Sequence, residues 1–92
     1  MQETRWSLDD ILDALAHHRQ RATYGAVGEL LDRPPLFLMQ GRPRDFRHSW
    51  IVAKDSGLPS GYSAEERDPH LLDRDEVLKS GSELEFWLRS LP

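Results

Sequence analysis

Apolar residues along the chain recur in short periodic groups, and each group predicts one element of secondary structure. The first group has the i, i+3, i+4, i+7 spacing of a helix with one buried face. Its members are Leu8, Ile11, Leu12 and Leu15. Ser7 precedes this group and Asp10 follows three residues later, which is the pattern of an N-cap and its partner in a capping box. We therefore expect a first helix from Ser7 to about residue 18.

A second apolar group predicts a helix from Tyr24 to Leu31 with Thr23 as its N-cap. The predicted inner residues are Tyr24, Val27, Leu30 and Leu31. Gly25 and Gly28 are poor helix residues, each costing roughly 1 kcal/mol relative to alanine. Two glycines within one turn indicate a close approach to the backbone, either by a packed neighbour or by a phosphate chain.

A Pro-Pro turn after the second helix introduces a third, very short helix, predicted at Pro35–Gln40. Almost all of its side chains are apolar: Leu36, Phe37, Leu38 and Met39. A helix of fewer than two turns cannot bury all four on one face. At least one of them should therefore be exposed or lie at an interface.

The remainder of the chain predicts a basic loop, two strands and two more helices. The predicted elements are a loop at Arg42–Arg47, a strand at Ser49–Ala53, turns at Lys54–Gly61 and Ser63–Glu66, a short helix at Asp68–Arg74, a strand at Val77–Leu78 and a last helix capped by Ser82 with Glu85. The inner face of the last helix is predicted to be Leu84, Trp87, Leu88 and Leu91. We expect Trp50 and Trp87 in the core.

Length and composition predict one globular domain over residues 1–92, with 38% hydrophobic and 30% charged residues. No apolar run is long enough to span a membrane, and the first residues do not have the pattern of a signal peptide. Cysteine is absent, which excludes disulfides, thiolate metal sites and a thiol nucleophile. These features predict a cytoplasmic protein, and no pattern in the sequence indicates a cofactor or a metal site.

Charge is distributed unevenly along the chain. The net charge is −4, yet His17–Lys54 carries seven cations against three acids, whereas both flanking segments are acidic. A basic centre between acidic flanks can steer an anionic partner to one face. Alternatively, the arginines of the loop are solvated, or they pair with Asp45 and the acidic ends of the chain.

Four sequence pieces together resemble a known family. They are "ATYGAVGELL", "HSWIVAKDSGLPSGY", "LLDRDEV" and the last helix, in this order and spacing over roughly Leu8 to Leu88. The chain resembles the C-terminal DNA-binding domain of the alkylguanine-DNA alkyltransferases. It is still more similar to the alkyltransferase-like proteins that lack the acceptor cysteine. The resemblance implies a mainly α fold with a small β component, a winged helix-turn-helix.

The resemblance also implies a function and roles for particular residues. Members of the family place the recognition helix in the minor groove and flip a base into a pocket. The alkyltransferase-like proteins bind the damaged base and flag it for DNA repair. Tyr24 matches the tyrosine beside the phosphate of the flipped nucleotide, and Asp75 matches the glutamate that orients the catalytic histidine. Tyr62 ends the loop of the pocket, while His48 and Ser49 fall on the positions of the cysteine and the histidine.

The chain departs from the family at the positions that carry its chemistry. Without a thiol, alkyl transfer to cysteine is excluded, so we expect no enzymatic activity. The arginine that replaces the flipped base is not at the start of the recognition helix, where the nearest arginine is Arg33. Leu36, Phe37 and Met39 are bulky for a groove only ~6 Å wide, although an apolar wedge can unstack a base step.

Three hypotheses follow for the function. The first is a non-enzymatic domain that binds double-stranded DNA and senses damaged or alkylated bases. Its predicted contacts are Thr23, Tyr24, Arg33, Arg42, Arg44, Arg47 and Lys54, with lesion-pocket equivalents at His48, Ser49, Tyr62 and Asp75. The second is a protein-protein interaction module that uses Leu36, Phe37 and Met39. The third, a hydrolase triad of His48, Ser49 and Asp75, is disfavoured because adjacent residues of a strand point to opposite sides.

Overall fold

A computed structural model of the protein describes residues 6–92. The prediction that the first residues do not form a signal peptide concerns residues 1–5 in part, and these lie outside the described range. The elements in chain order are α1 (Leu8–His18), β1 (Arg21–Thr23), α2 (Tyr24–Leu31), a first 3-10 helix (Pro35–Phe37), a second 3-10 helix (Arg47–Trp50), β2 (Ile51–Val52), β3 (Val77–Leu78) and α3 (Gly81–Ser90). The fold is helix-rich, with a small three-stranded sheet.

The first helix has the predicted boundaries and the predicted capping box. The Ser7 side chain accepts a hydrogen bond from the Asp10 amide over 3.1 Å, and the Asp10 carboxylate accepts one from the Ser7 amide over 3.0 Å. All four predicted inner residues are buried. The helix ends at Arg19, which adopts a left-handed conformation with φ 54°.

The three strands are parallel and follow the order β2, β1, β3. The central strand β1 was not predicted, because Arg21 and Thr23 do not look like buried residues in the sequence. Both are buried: Arg21 donates to the carbonyl oxygens of Gly57 (2.8 Å) and Arg74 (2.6 Å). These backbone acceptors meet both terminal nitrogens of the buried arginine, while its Nε has no hydrogen-bond partner among the described residues. Arg21 thereby ties two loops to the sheet.

The second helix confirms its predicted boundaries, with Thr23 Oγ1 accepting from the Ala26 amide over 3.0 Å. The two glycines of α2 have different surroundings. A Cβ built on Gly28 would lie 2.7 Å from the carbonyl oxygen of Arg33, so this glycine lets the Pro-Pro turn fold back on the helix. A Cβ on Gly25 would meet nothing nearer than Thr23 Oγ1 at 3.8 Å. Packing therefore explains Gly28 but not Gly25.

Three predicted elements are shorter than expected. The helix predicted at Pro35–Gln40 is only the single 3-10 turn Pro35–Phe37. The strand predicted at Ser49–Ala53 reduces to Ile51–Val52, because Ser49 and Trp50 belong to the preceding 3-10 helix. The helix predicted at Asp68–Arg74 is a series of turns. Each segment is too short to sustain the hydrogen-bond ladder of a longer element once the chain must turn.

The last helix begins two residues earlier than predicted. Its N-cap is Ser80, whose Oγ accepts from the Glu83 amide over 3.1 Å, so the prediction of Ser82 and Glu85 was wrong. Gly81 at the first helical position packs tightly on α2, since a Cβ there would lie 2.8 Å from the Cβ of Glu29. The Glu29 carboxylate accepts a hydrogen bond from the Gly81 amide over 2.6 Å and links the two helices.

One apolar core joins the helices to the sheet. Trp50 is completely buried as predicted, whereas Trp87 is half-buried with its ring edge-on to His18 at 5.8 Å. Both strand residues of β2 are buried, so this strand has core on both of its faces. Within residues 6–92, no helix is long and apolar enough to cross a membrane.

Candidate functional site

The Pro-Pro turn exposes the apolar residues of the first 3-10 helix. Leu36 is 84% exposed and Phe37 is 59% exposed, whereas Leu38 is only 5% exposed and anchors the segment in the core. This confirms that the short segment cannot bury all of its apolar side chains. A depression of about 450 Å³ lies beside them. Its lining consists of Tyr24, Pro35, Leu36, Phe37, Met39, Gln40 and Ser60.

Tyr24 and Ser60, which line this depression, and the neighbouring Tyr62 form a group that we call the tyrosine wall. The Tyr24 hydroxyl accepts a hydrogen bond from the Ser60 amide over 3.0 Å, which ties the loop to the start of α2. Burial raises the pKa of Tyr62 to about 12, and the nearby Tyr24 adds to this shift. The Arg44 guanidinium lies close to Gly61, 3.5 Å from where a Cβ would stand. Three predicted site residues (Tyr24, Tyr62 and Arg44) are thus brought together.

Two arginines of the basic loop face α1. Arg42 Nη1 lies 2.8 Å from Asp9 Oδ1, and Arg47 contacts both Asp9 (3.1 Å) and Asp13 (2.7 Å). Hydrogen bonds from Arg42 and then from Arg47 lower the pKa of Asp9 from 3.8 to about 2, and the two carboxylates raise the pKa of Arg47. The alternative of pairing with acids from the N-terminal segment is therefore confirmed for Arg42 and Arg47.

The remaining predicted cations, Arg33, Arg44 and Lys54, are exposed, and within residues 6–92 no carboxylate lies within 4 Å of their charged groups. Lys54 follows β2, and α2 follows β1. These two strands are parallel, and Thr23 lies opposite Val52. Lys54 and the start of α2 therefore both lie beyond the carboxyl ends of the strands, on the same side of the sheet.

Arg33 has a less favourable setting for an anion. It lines a depression of about 380 Å³ on the surface of α2 together with Glu29 and Asp32, whose charges partly offset its own. The Thr23 side chain is not part of the exposed surface, because it is buried and its oxygen caps α2.

Among the described residues, no hydrogen bond joins the predicted lesion-pocket equivalents His48, Ser49, Tyr62 and Asp75 to one another. His48 is buried, and its Nδ1 lies 2.6 Å from Asp45 Oδ1, which also accepts from the His48 amide over 3.0 Å. Although burial opposes ionisation of Asp45, these hydrogen bonds outweigh it and lower the pKa of Asp45 below 3.8. Asp75, by contrast, is exposed, and no hydrogen bond joins it to His48 within the described residues.

The Ser49 hydroxyl already has two partners in the backbone. It donates to the Phe46 carbonyl oxygen over 2.7 Å and accepts from the Asp68 amide over 3.2 Å. Its partners are therefore not those of a nucleophile beside a base. In the part of the chain that the structure describes, no group of three or more histidines and acids is arranged to hold a metal ion.

Sequence reasoning did not single out the acids that organise this surface. Asp9 and Asp13 lie outside the predicted inner face of the first helix, and their i, i+4 spacing places them together on its exposed face. Asp45 precedes His48 by three residues, a spacing that can indicate a local pair. A second apolar depression of about 460 Å³ was also missed. Phe46, Leu58, Leu71 and Leu72 contribute its apolar lining.

Comparison with known proteins identifies no relative: no family model matches the chain, and no curated protein or solved structure matches it significantly.

Proposed function

We propose that this protein is a non-enzymatic domain that binds double-stranded DNA through the exposed turn Pro35–Phe37 and the cations beside it. The observation that carries the proposal is the exposure of Leu36 and Phe37 on a turn that two prolines stiffen and Leu38 anchors. Large apolar side chains held outward by a rigid turn can insert between base steps, because unstacking is repaid by the contacts that the bent duplex permits.

Accessible positive charge supports the same proposal. Arg44 and Lys54 are exposed without a carboxylate partner among residues 6–92, and they would neutralise phosphates of the bound duplex. The start of α2 adds the positive end of a helix dipole, and its first turn contains no acid. The half-exposed Gly25, which packing does not explain, leaves this backbone open to close approach.

The proposal includes a divergent winged helix-turn-helix. The order of α2, Pro-Pro turn and 3-10 turn supports it, with the 3-10 turn standing in a shortened form where the recognition helix would be. Recognition of alkylated bases is part of this proposal through the resemblance, and it would use Tyr24 and Tyr62 on the tyrosine wall. A cytoplasmic location goes with this function.

The experiment is a fluorescence-anisotropy titration of labelled duplexes, with and without an alkylated guanine, at low and moderate salt. Binding that weakens steeply with salt supports the proposal, since each neutralised phosphate contributes about 0.9 to the slope of log K against log salt. Absence of binding at low salt would overturn it. Equal affinity for intact and alkylated duplexes would remove lesion recognition and leave sequence-independent binding.

A second candidate function, a protein-interaction module, is favoured by the composition of the depression beside the turn. Aromatic, leucine and methionine side chains line it, and a cavity of about 450 Å³ can accept an apolar anchor from a partner. The net charge of −4 also disfavours nucleic acid as a general partner. Weak salt dependence together with capture of a peptide through Phe37 would support this function over DNA binding.

A further inference from the structure

We propose that α1 is an electrostatic mask, in which Asp9 and Asp13 occupy Arg42 and Arg47 and withhold them from an anionic partner. This inference rests on the proposed function, because it concerns the regulation of DNA binding by the same basic loop. It predicts that the unmasked loop binds polyanions more tightly than the protein does in its resting state.

The geometry of the mask follows from the spacing of two acids on one helix. Asp9 and Asp13 are four residues apart, so their carboxylates lie one above the other on the exposed face of α1. Arg47 reaches both, over 3.1 Å and 2.7 Å, and Arg42 reaches Asp9 over 2.8 Å. Three ion pairs thus hold two arginines against a helix whose inner face belongs to the core.

The carboxylates occupy the donors that phosphate oxygens would use. Arg47 donates from Nε to Asp13 and from Nη2 to Asp9, so the edge of its guanidinium that these two nitrogens form is engaged by carboxylates. Arg44 in the same loop points instead towards Gly61 and has no such partner among residues 6–92. The mask therefore divides the loop into one accessible arginine and two that are paired.

The ion pairs of the mask can be exchanged for other ion pairs. Exposed ion pairs are individually weak, and their carboxylates keep more than half of their side-chain surface in contact with solvent: Asp9 is 58% exposed and Asp13 69%. A partner that presents several phosphates at once can exchange with them, whereas a single anion cannot compete. The mask would thus select for partners of high charge density.

The test compares Asp9→Asn/Asp13→Asn with Glu76→Gln/Glu85→Gln, which changes the net charge equally and releases Arg89 instead. A third variant adds Arg42→Gln/Arg47→Gln to the first. Each protein is titrated with a short labelled duplex and, separately, with a heparin hexasaccharide, and thermal melting by circular dichroism checks that each is folded. Because exposed pairs are weak, we expect the unmasked variant to bind roughly 3- to 10-fold more tightly than wild type. Its salt slope should be steeper by about 2, from two more phosphate contacts.

The gain should disappear in the third variant and be absent from the control. If wild type binds duplex but the unmasked variant binds no better than the control, the mask is overturned and DNA binding stands. If wild type does not bind duplex, the proposed function fails, and the mask is then decided by the unmasked variant. If the unmasked variant binds duplex or heparin more tightly than the control variant does, the mask is supported. If the two variants bind with equal affinity, the mask is overturned.

Discussion

Arg47 Nε lies 2.7 Å from Asp13 Oδ1, and this contact joins the basic loop to the first helix across 34 residues of sequence. The same guanidinium contacts Asp9, which Arg42 also contacts. The loop that carries three of the five cations predicted to contact DNA is therefore held by acids of α1. Its conformation and its charge depend on α1.

This relationship predicts a pH dependence of stability. The pKa of Asp9 is lowered from 3.8 in the unfolded chain to about 2 in the folded protein, so its contribution is fully present above pH 3.8 and is lost as pH falls towards 2. The melting temperature of Asp9→Asn should be below that of wild type at neutral pH and should approach it as pH falls through this window. Glu65→Gln, an exposed acid without a hydrogen-bond partner among residues 6–92, is the matched control. A constant difference between wild type and Asp9→Asn at every pH would contradict the account.

The contrast between the two glycines of α2 gives a second prediction. Gly28→Ala should destabilise the domain by about 1–3 kcal/mol, because its Cβ would press on the Arg33 carbonyl oxygen at 2.7 Å. Gly25→Ala should instead be neutral or stabilising by up to about 1 kcal/mol, since it gains helix propensity in open space. Urea denaturation measures both. Equal effects of the two substitutions would mean that the turn does not fold back on the helix as described.

The buried Arg21 gives a third prediction, about the loops at either end of the sheet. Arg21→Met should destabilise the protein by about 1–3 kcal/mol, because the carbonyl oxygens of Gly57 and Arg74 lose their donor. The stability of Arg21→Lys should lie between those of wild type and Arg21→Met, because one ammonium can replace only part of the hydrogen bonds to these two carbonyl oxygens. Arg89→Met, which breaks an exposed pair with Glu85, should change stability by no more than about 0.5 kcal/mol. If chemical denaturation gives Arg21→Met and Arg89→Met the same free energy of unfolding, the cost of burying the Arg21 guanidinium is as large as the stabilisation from its hydrogen bonds.

The exposed turn gives a fourth prediction, which separates function from stability. Leu36→Ser/Phe37→Ser should leave stability within about 0.5 kcal/mol per site, whereas Leu38→Ala should cost about 2–5 kcal/mol. If the turn is a wedge in DNA, the double variant should lose duplex affinity without a change of salt slope, because no phosphate contact is removed. Unchanged duplex affinity would show that the turn does not act as a wedge in DNA.

The sequence predicted the long periodic elements and missed those made by tertiary contacts. The caps and inner residues of α1 follow from local spacing, and so do the boundaries of α2. Strand β1 could not be predicted, because Arg21 is buried only by virtue of carbonyl groups that lie 36 and 53 residues away. The start of α3 depended on Gly81 fitting against Glu29, a contact that no local pattern records.

The sequence predicted which residues belong to the candidate site but not which of them contact one another. The exposure of Leu36 and Phe37 followed from the length of their segment. The division of the loop, with Arg44 accessible and Arg42 and Arg47 paired, depends on which side of the loop faces α1. The charge pattern of the sequence does not distinguish an accessible arginine from a paired one, because every arginine contributes the same charge.

The salt dependence of duplex binding tests the central claim most directly. Anisotropy titrations of wild type and Arg44→Gln/Lys54→Gln should give slopes that differ by about 2, because two phosphate contacts are lost. Arg74→Gln/Arg89→Gln, which removes the same charge from exposed positions elsewhere, should retain the wild-type slope. Wild-type binding at low salt with this pattern of slopes is the predicted result. No binding at low salt, or an equal loss of slope in both variants, would contradict DNA binding at this surface.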